Sequence, residues 1–200
     1  RLVAGHDAVV NLVAVLHGDE AAFEKAHVTL PFKLAHACQA MGVRRVVHVS
    51  ALGAAADGPS MYLRSKARGE SVLRQAGLEL TLLRPSVVFG VGDRFLNLFA
   101  RMQQFLPAVP LAGAEARFQP VWVEDLASAI VHCLDAHSTI GQTFEVCGPD
   151  VLTLREIVSQ AGRWAGVRQG RGRPVIALPD TLARLQARLM ALAPGEPLMS

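Results

Sequence analysis

Short apolar runs alternate with helical patterns along the 200-residue chain, and this alternation constrains the fold more than any other feature. Apolar runs at residues 8–15, 45–49 and 80–83 predict buried strands, and residues 21–41 and 60–76 predict helices that end at glycines. Strands that are apolar on both faces and separated by helices are typical of a parallel sheet covered on both sides. The sequence therefore predicts a doubly wound α/β fold.

The second half of the chain predicts shorter elements of both kinds. They are helices at residues 95–105, 124–135, from 153 onward and 180–192, and strands at residues 119–123, 143–146 and 174–178. Glu156 follows Thr153 by three residues, which is the spacing of a helix capping box. We expect a larger parallel-sheet part over residues 1–115 and a small α+β lobe over residues 116–200, packed together as one structural unit.

Composition and charge exclude several classes of protein. Hydrophobic residues make up 51% of the chain and charged residues 18%, which excludes a disordered chain. The cysteines form no CxxC pair and the histidines no metal-like cluster, so we expect neither a disulfide framework nor a metal site. The net charge of +3 is uneven, because residues 163–188 hold six arginines and one aspartate. The rest of the chain is nearly neutral, which argues against a nucleic-acid-binding protein. The Arg-rich stretch itself is either a solvated surface or a surface that binds an anionic partner.

Tyr62 and Lys66 form the most pointed local pattern. Tyr62 is the only tyrosine in the chain, and the lysine follows it by four residues, which places both side chains on one face of the predicted helix. An ammonium group this close is expected to lower the pKa of the phenol, so that the phenol exchanges a proton with a substrate near neutral pH. The lysine can also donate to a ribose hydroxyl. The alternative is a partly exposed helical pair without chemistry.

Ser50 follows the second predicted strand directly. Open α/β sheets bind their ligands at the carboxyl ends of the strands, so we expect the Ser50 hydroxyl to donate to the same carbonyl oxygen that Tyr62 protonates. The alternative is a serine that caps the next turn. The candidate catalytic residues are therefore Tyr62, Lys66 and Ser50.

A long helix and six sequence blocks occur in an order that resembles one superfamily. The blocks are DAVVNLVA, GVRRVVHVSALGA, YLRSK, LTLLRPSVVFGVGD, QPVWVEDLASAI and TFEVCGPDVLTLREI. Together they resemble the extended and atypical short-chain dehydrogenase/reductase superfamily, which is NAD-dependent epimerase/dehydratase-like, and above all relatives of the NAD(P)H-binding accessory subunit of respiratory complex I. The resemblance covers essentially the whole chain. It implies a Rossmann-like fold, NAD or NADP as cofactor, and residues 1–115 as the C-terminal half of the dinucleotide-binding domain.

The resemblance also implies roles for individual residues. Tyr62 would be the acid/base, and Lys66 would be its partner and a ribose ligand. The segment at residues 11–14 would line the adenosine side of the dinucleotide, and the segment at residues 84–88 would run past the nicotinamide. The implied cofactor-binding residues are Asn11, Val13, Ala14, Lys66, Arg84, Pro85, Ser86 and Val88. Three aromatic residues, Phe95, Phe118 and Trp122, would face a small-molecule substrate, with core packing as the alternative.

Two departures from the superfamily pattern keep several functions open. Ala51 stands where epimerases have their catalytic Ser or Thr, and His27 aligns with the Asn of the usual active-site tetrad. Loss of one hydrogen-bond donor to the charge that develops in a transition state lowers the reaction rate by about 10² to 10³. The chain is therefore expected to be an NAD(P)-dependent oxidoreductase or epimerase-like enzyme, a non-catalytic NAD(P)H-binding accessory or assembly subunit of a respiratory complex, or a redox-sensing regulator.

The glycine-rich turn that binds pyrophosphate in this fold does not occur in the 200 residues. The first strand would correspond to the superfamily's fourth, so we expect about three βα units and the cofactor fingerprint to lie upstream. The Arg-rich amphipathic helix at residues 180–192 would offer a surface to a protein complex or a membrane. Without a signal segment or a spanning apolar run, we expect a cytoplasmic location, with a position peripheral to the inner membrane as the alternative.

Overall fold

The computed structural model describes residues 3–179, which alternate between strands and helices. The strands are β1 (Ala8–Asn11), β2 (Arg45–Val49), β3 (Glu79–Pro85), β4 (Val88–Phe89), β5 (Val109–Leu111), β6 (Arg117–Phe118), β7 (Val121–Trp122), β8 (Thr143–Val146), β9 (Leu152–Thr153) and β10 (Val175–Ala177). The helices are α1 (Glu20–Glu24), α2 (Leu30–Met41), α3 (Met61–Gln75), α4 (Leu96–Phe105), α5 (Val123–Asp135) and α6 (Leu154–Trp164). A π-helical turn, Lys25–Thr29, joins α1 to α2, and a 3-10 turn, His137–Thr139, follows α5.

The described chain forms two compact units. Unit 1 comprises residues 3–86 and 124–146, and unit 2 comprises residues 87–123 and 147–179. The chain enters unit 2 after β3 and returns to unit 1 with α5 and β8. Each unit is thus made of two separate stretches of the chain, and the division at residues 115 and 116 stays a prediction.

Unit 1 is built on a parallel sheet in the order β1, β2, β3, β8. Its β-branched and leucine side chains suit a sheet that is buried on both faces. On one face, Val46 and Leu82 pack against residues of α2 and α3 such as Cys38 and Leu73. The predicted α/β fold with a parallel sheet is confirmed.

A buried arginine fastens α5 to the opposite face of the sheet. Arg45 lies in β2, and its guanidinium donates to the carbonyl oxygen of Glu79 at 2.6 Å and to the hydroxyls of Thr81 and Thr139 at 2.8 and 3.0 Å. It also donates to the carbonyl oxygen of Cys133, near the end of α5. A buried cation is tolerated because these acceptors replace the water that it loses.

Unit 2 has its own hydrophobic core between α4 and α6. Phe99 packs against Leu154 and Val158, and the strands around the two helices pair as β4 with β7, β5 with β10 and β6 with β9. The predicted capping box is present, since Thr153 and Glu156 exchange hydrogen bonds at the start of α6. Unit 2 therefore combines short helices with short strands, and the small lobe predicted over residues 116–200 stays a prediction.

Several predicted elements differ from the structure at their ends or in kind. The first strand ends at Asn11 instead of residue 15, and the strand predicted at residues 119–123 is only the two residues of β7, with β6 lying just before the predicted range. The long helix predicted over residues 21–41 is broken by the π-helical turn. The helix predicted at residues 180–192 lies outside the described residues.

Candidate functional site

Ser50 leaves β2 with a buried hydroxyl. Its backbone N–H donates to the carbonyl oxygen of Leu83 at 2.7 Å, which holds the residue at the carboxyl end of the sheet. The side chain is 4% exposed, and its Oγ makes no hydrogen bond with any residue that the structure describes. Because a buried hydroxyl without a partner is unfavourable, this atom suits a ligand.

Helix α3 presents Tyr62 and Lys66. The helix begins after Ser60, whose side chain accepts from the N–H of Leu63 and caps the first turn. One turn after the tyrosine, Lys66 is 1% exposed, and its Nζ donates to the carbonyl oxygen of Val49 at 2.8 Å. The lysine head group therefore lies beside the last residue of β2, next to Ser50 in the chain.

Burial dominates the electrostatics of this pair. Burial lowers the pKa of Lys66 to about 8, although the carboxylate of Glu70 acts in the opposite direction. Burial raises the pKa of Tyr62. The expected lowering of the phenol pKa by the lysine is therefore wrong, because desolvation of the phenolate outweighs the nearby ammonium group. The tyrosine holds its proton at neutral pH.

His27 faces this helix from the π-helical turn. The imidazole is 2% exposed and lies 5.4 Å from the Tyr62 ring, centroid to centroid, at 82° between the planes. Its Nε2 accepts from the N–H of Val15 at 3.0 Å, and its Nδ1 lies 2.8 Å from the Oγ of Ser65. Both ring nitrogens of His27, which aligns with the tetrad Asn, thus form hydrogen bonds with other residues of the protein.

A second buried histidine, His48, lies in β2. The amide of Asn11 accepts the N–H of Val13 through Oδ1 at 3.2 Å, so its Nδ2 donates to Nδ1 of His48 at 3.0 Å. Burial, and then the charge of Lys66, lower the pKa of His27 to about 4 and that of His48 to about 3. Both imidazoles are neutral at physiological pH.

The last residue of β1 and the segment after it include three of the predicted cofactor-binding residues. Asn11 is buried and its side chain is used internally, whereas Val13 and Ala14 are exposed. Leu12 and Val13, which follow the end of β1, are 61% and 50% exposed although both are apolar. An exposed apolar segment at a strand's carboxyl end suits the flat face of a base or a ribose.

The end of β3 and the residues after it carry four more of the predicted cofactor-binding residues. Arg84 donates to both carboxylate oxygens of Glu70 at 2.9 and 2.7 Å, so its guanidinium is engaged within unit 1. The carbonyl of Pro85 accepts from Leu52, and the N–H of Ser86 donates to Val146. Val88 belongs to unit 2, in β4. The cofactor contacts of these residues stay predictions.

The aromatic residues predicted to face a substrate have different environments in unit 2. Phe95 and Phe118 lie 5.9 Å apart, centroid to centroid, and both pack against the core of this unit. Trp122 is 49% exposed in β7. Core packing therefore accounts for the two phenylalanines, and the tryptophan remains a candidate.

Sequence reasoning missed Arg45, His48 and Ser65. In the sequence, Arg45 and His48 look like the two polar positions of an apolar strand, yet both are buried. Ser65 belongs to no motif of its own.

Within residues 3–179 no cluster of His, Cys, Asp and Glu side chains suits a metal ion. The same residues include no helix with the length and apolar character needed to cross a membrane.

The parallel sheet, the Tyr62–Lys66 helix and the buried serine at the end of β2 define a protein of the short-chain dehydrogenase/reductase class. A family model described as "NAD dependent epimerase/dehydratase family" matches residues 1–147. The chain belongs to this family.

Curated relatives and solved structures agree with this assignment. The chain is 38% identical over 162 residues to the "NADH dehydrogenase [ubiquinone] 1 alpha subcomplex subunit 9, mitochondrial" of Arabidopsis thaliana, covering 78% of this chain and 40% of that protein. It is 41% identical over 138 residues to the mouse protein of the same name, covering 68% and 36%. The chain thus spans less than half the length of these relatives.

Two solved structures illustrate the shared fold. A dTDP-glucose 4,6-dehydratase double mutant from Streptomyces venezuelae, with NAD bound, superposes with a TM-score of 0.77 at 22% identity, covering 89% of this chain and 63% of that one. RMD from Pseudomonas aeruginosa, in complex with NADPH, superposes with a TM-score of 0.71 at 19% identity, covering 86% and 67%. At these identities the likeness establishes the fold.

Proposed function

We propose that the protein binds NAD(P)(H) at the carboxyl ends of β1, β2 and β3 and that Tyr62 and Lys66 take part in hydride and proton transfer on a small molecule. The observation that carries this proposal is the buried ammonium group of Lys66. Within residues 3–179 only one of its three donors is used, at Val49, and a buried cation with unused donors suits ribose hydroxyls.

The residues around Lys66 fit a dinucleotide. The unpartnered hydroxyl of Ser50 is available to a ligand, and the exposed segment at Leu12 and Val13 offers an apolar surface for the adenosine side. Family membership supports NAD or NADP, and solved structures with the same fold bind each of them. Asn11 would act indirectly, by shaping the backbone of this segment through Val13.

Tyr62 would act as the proton donor. When bound, the nicotinamide ring supplies or accepts the hydride. A phenol that stays protonated at neutral pH is suited to donate its proton to a carbonyl oxygen, which is the reductive direction. Ser50 would donate to the same oxygen in place of the hydroxyl that Ala51 lacks, and Lys66 would stabilise the phenolate that forms.

Turnover of the Tyr62→Phe variant tests the catalytic part of this proposal. In the full-length protein, Phe removes the proton and keeps the ring that packs against His27 and Phe23. We expect carbonyl reduction with NADH or NADPH to fall at least about 100-fold, with the cofactor affinity nearly unchanged. Turnover equal to wild type would refute a role of Tyr62 in catalysis.

A second candidate function is that of a non-catalytic accessory or assembly subunit of a respiratory complex. The curated relatives, which are named as mitochondrial NADH dehydrogenase subunits, favour it. In this function Tyr62 and Lys66 would bind ribose without chemistry, and the protein would lie at the periphery of the inner membrane. A redox-sensing regulator would use the same site.

The Arg-rich stretch at residues 163–188 would supply the surface for a protein complex or an anionic membrane. In its described part, Arg163, Arg168 and Arg171 are exposed, and Trp164, which follows Arg163 in the sequence, is 69% exposed. Exposed arginines next to a tryptophan suit a membrane interface or an anionic protein. The experiment is sedimentation with vesicles that contain an anionic lipid, using Arg168→Glu with Arg171→Glu against a charge reversal of two exposed lysines, Lys25 and Lys33. Binding that survives only in the lysine variant supports this surface, and equal binding of both variants refutes it.

A further inference from the structure

His27 connects two segments that carry predicted site residues. Its Nε2 accepts from the N–H of Val15, after β1, and its Nδ1 contacts the Oγ of Ser65 on α3. The Ser65 hydroxyl in turn donates to the carbonyl oxygen of Tyr62 at 2.8 Å. This continuous chain of hydrogen bonds links the backbone after β1 to the first turn of the tyrosine helix.

The donors determine the direction of each hydrogen bond in this chain. A backbone N–H can only donate, so Nε2 of His27 carries no proton and the neutral ring has its proton on Nδ1. Nδ1 therefore donates to Ser65, which uses its own proton for the Tyr62 carbonyl. The complete chain exists only while His27 is neutral.

The imidazole is also fixed by its packing. Its ring packs against those of Tyr62 and Phe23, at centroid distances of 5.4 and 5.6 Å, and these two rings also contact each other at 6.4 Å. A Cβ at Gly69 would overlap the carbonyl oxygen of His27, so α3 packs directly against the backbone of the π-helical turn. Single π-helical turns inside α-helices frequently occur at functional sites. The position of His27 relative to α3 is thus set by contacts on several sides.

We propose that His27 is a positioning residue, which holds Tyr62 and the segment at residues 12–15 at the spacing that a bound dinucleotide requires. The proposal rests on the proposed function, because this segment contacts the dinucleotide only if one binds. His27 would not touch the cofactor itself. It would act through Val15 on one side and through Ser65 and Tyr62 on the other.

Hydrogen exchange of the segment after β1 tests the connection without any ligand. In the full-length protein, His27→Phe keeps a ring against Tyr62 and removes both hydrogen bonds, and His27→Gln keeps an acceptor for the N–H of Val15. We expect amides of residues 12–16 to exchange about tenfold faster in His27→Phe, with His27→Gln closer to wild type. The matched control is the exposed His137→Gln, which is expected to exchange as wild type. Equal exchange in His27→Phe and wild type overturns the proposal.

Affinity for NADH and NADPH is the second readout. His27→Phe is expected to raise the Kd about 3- to 10-fold, the effect of one misplaced hydrogen-bonding segment. An unchanged Kd, together with faster exchange, overturns the positioning role. If the wild type binds neither dinucleotide, the proposed function fails, and the exchange experiment still decides whether His27 holds the segment.

The pH profile of the Kd separates positioning from a general structural role. Protonation of His27 would place a proton on Nε2 against the N–H of Val15, so the wild-type Kd should rise as the pH falls through about 4. The charged or titratable groups around His27 are Tyr62, Lys66, His48 and the Glu24–Arg68 ion pair. His27→Gln should show no such rise, whereas His48→Gln should keep it. A profile that is the same in wild type and His27→Gln refutes the proposal.

Discussion

Lowering the pH from 7 to 5 is expected to destabilise the protein through its two buried histidines. The pKa of His27 falls from the usual 6.5 to about 4, and that of His48 to about 3, chiefly because both rings are desolvated. In the unfolded chain both histidines take up a proton near pH 6.5, whereas in the folded protein both stay neutral at pH 5. The unfolded state therefore binds more protons, and the free energy of unfolding falls as the pH falls below about 6.5.

The magnitude follows from these pKa values. At pH 5 each unfolded histidine is almost fully protonated and each folded histidine almost fully neutral, so each contributes a loss of about 2 kcal/mol relative to pH 7. Together His27 and His48 account for a loss of about 4 kcal/mol. This is a large part of the stability of an ordinary domain.

Urea unfolding of the full-length protein at pH 7, 6 and 5, followed by tryptophan fluorescence, measures this loss. His48→Gln should lose about 2 kcal/mol less than wild type between pH 7 and pH 5, whatever its stability at pH 7. The exposed His137→Gln should lose as much as wild type. If wild type and His48→Gln lose the same amount, the ring of His48 is not held neutral in the folded protein, and the account of the buried histidines is wrong.

Two further predictions concern close packing around the site. Gly69→Ala should lower the free energy of unfolding by about 3 kcal/mol, because the added Cβ would push α3 off the His27 carbonyl. The exposed Ser71→Ala, on the same helix, should change this free energy little. Chemical denaturation measures both variants, and equal losses would contradict the close packing at Gly69. Arg45→Met should lower it by about 3 kcal/mol, since it leaves buried acceptors without donors, whereas Arg44→Met, at an exposed neighbour, should cost below about 1 kcal/mol. Equal losses at Arg45 and Arg44 would contradict the role given to the buried guanidinium.

The parallel sheet and the helix that presents Tyr62 and Lys66 were predictable because they depend on local signals. Apolar runs define β2 and β3, and the four-residue spacing on α3 follows from helix geometry. The place of Ser50 followed from a rule on strand ends in parallel sheets. These predictions need no knowledge of contacts between distant residues.

The sequence could not predict features that depend on contacts between distant residues. His48 is buried because Asn11 and the helices on one face of the sheet surround it, and the apolar run around it gives no sign of this. Arg84 pairs with Glu70, on a different element, so its guanidinium has a partner that no motif indicates. Val13 is exposed although it belongs to an apolar run, because pairing with β2 ends at Asn11. The pKa of Tyr62 depends on burial, which outweighs the lysine that its motif supplies.

Binding of NADH and NADPH to the full-length protein and to its Lys66→Met variant tests the central claim most directly. Isothermal titration calorimetry should give measurable binding of at least one dinucleotide to wild type. In the variant the Kd should be at least about tenfold higher, because a buried ammonium group no longer donates to the ribose. Arg68→Met, on the same helix but exposed, should bind as wild type. Binding to Lys66→Met with the wild-type Kd would contradict the account.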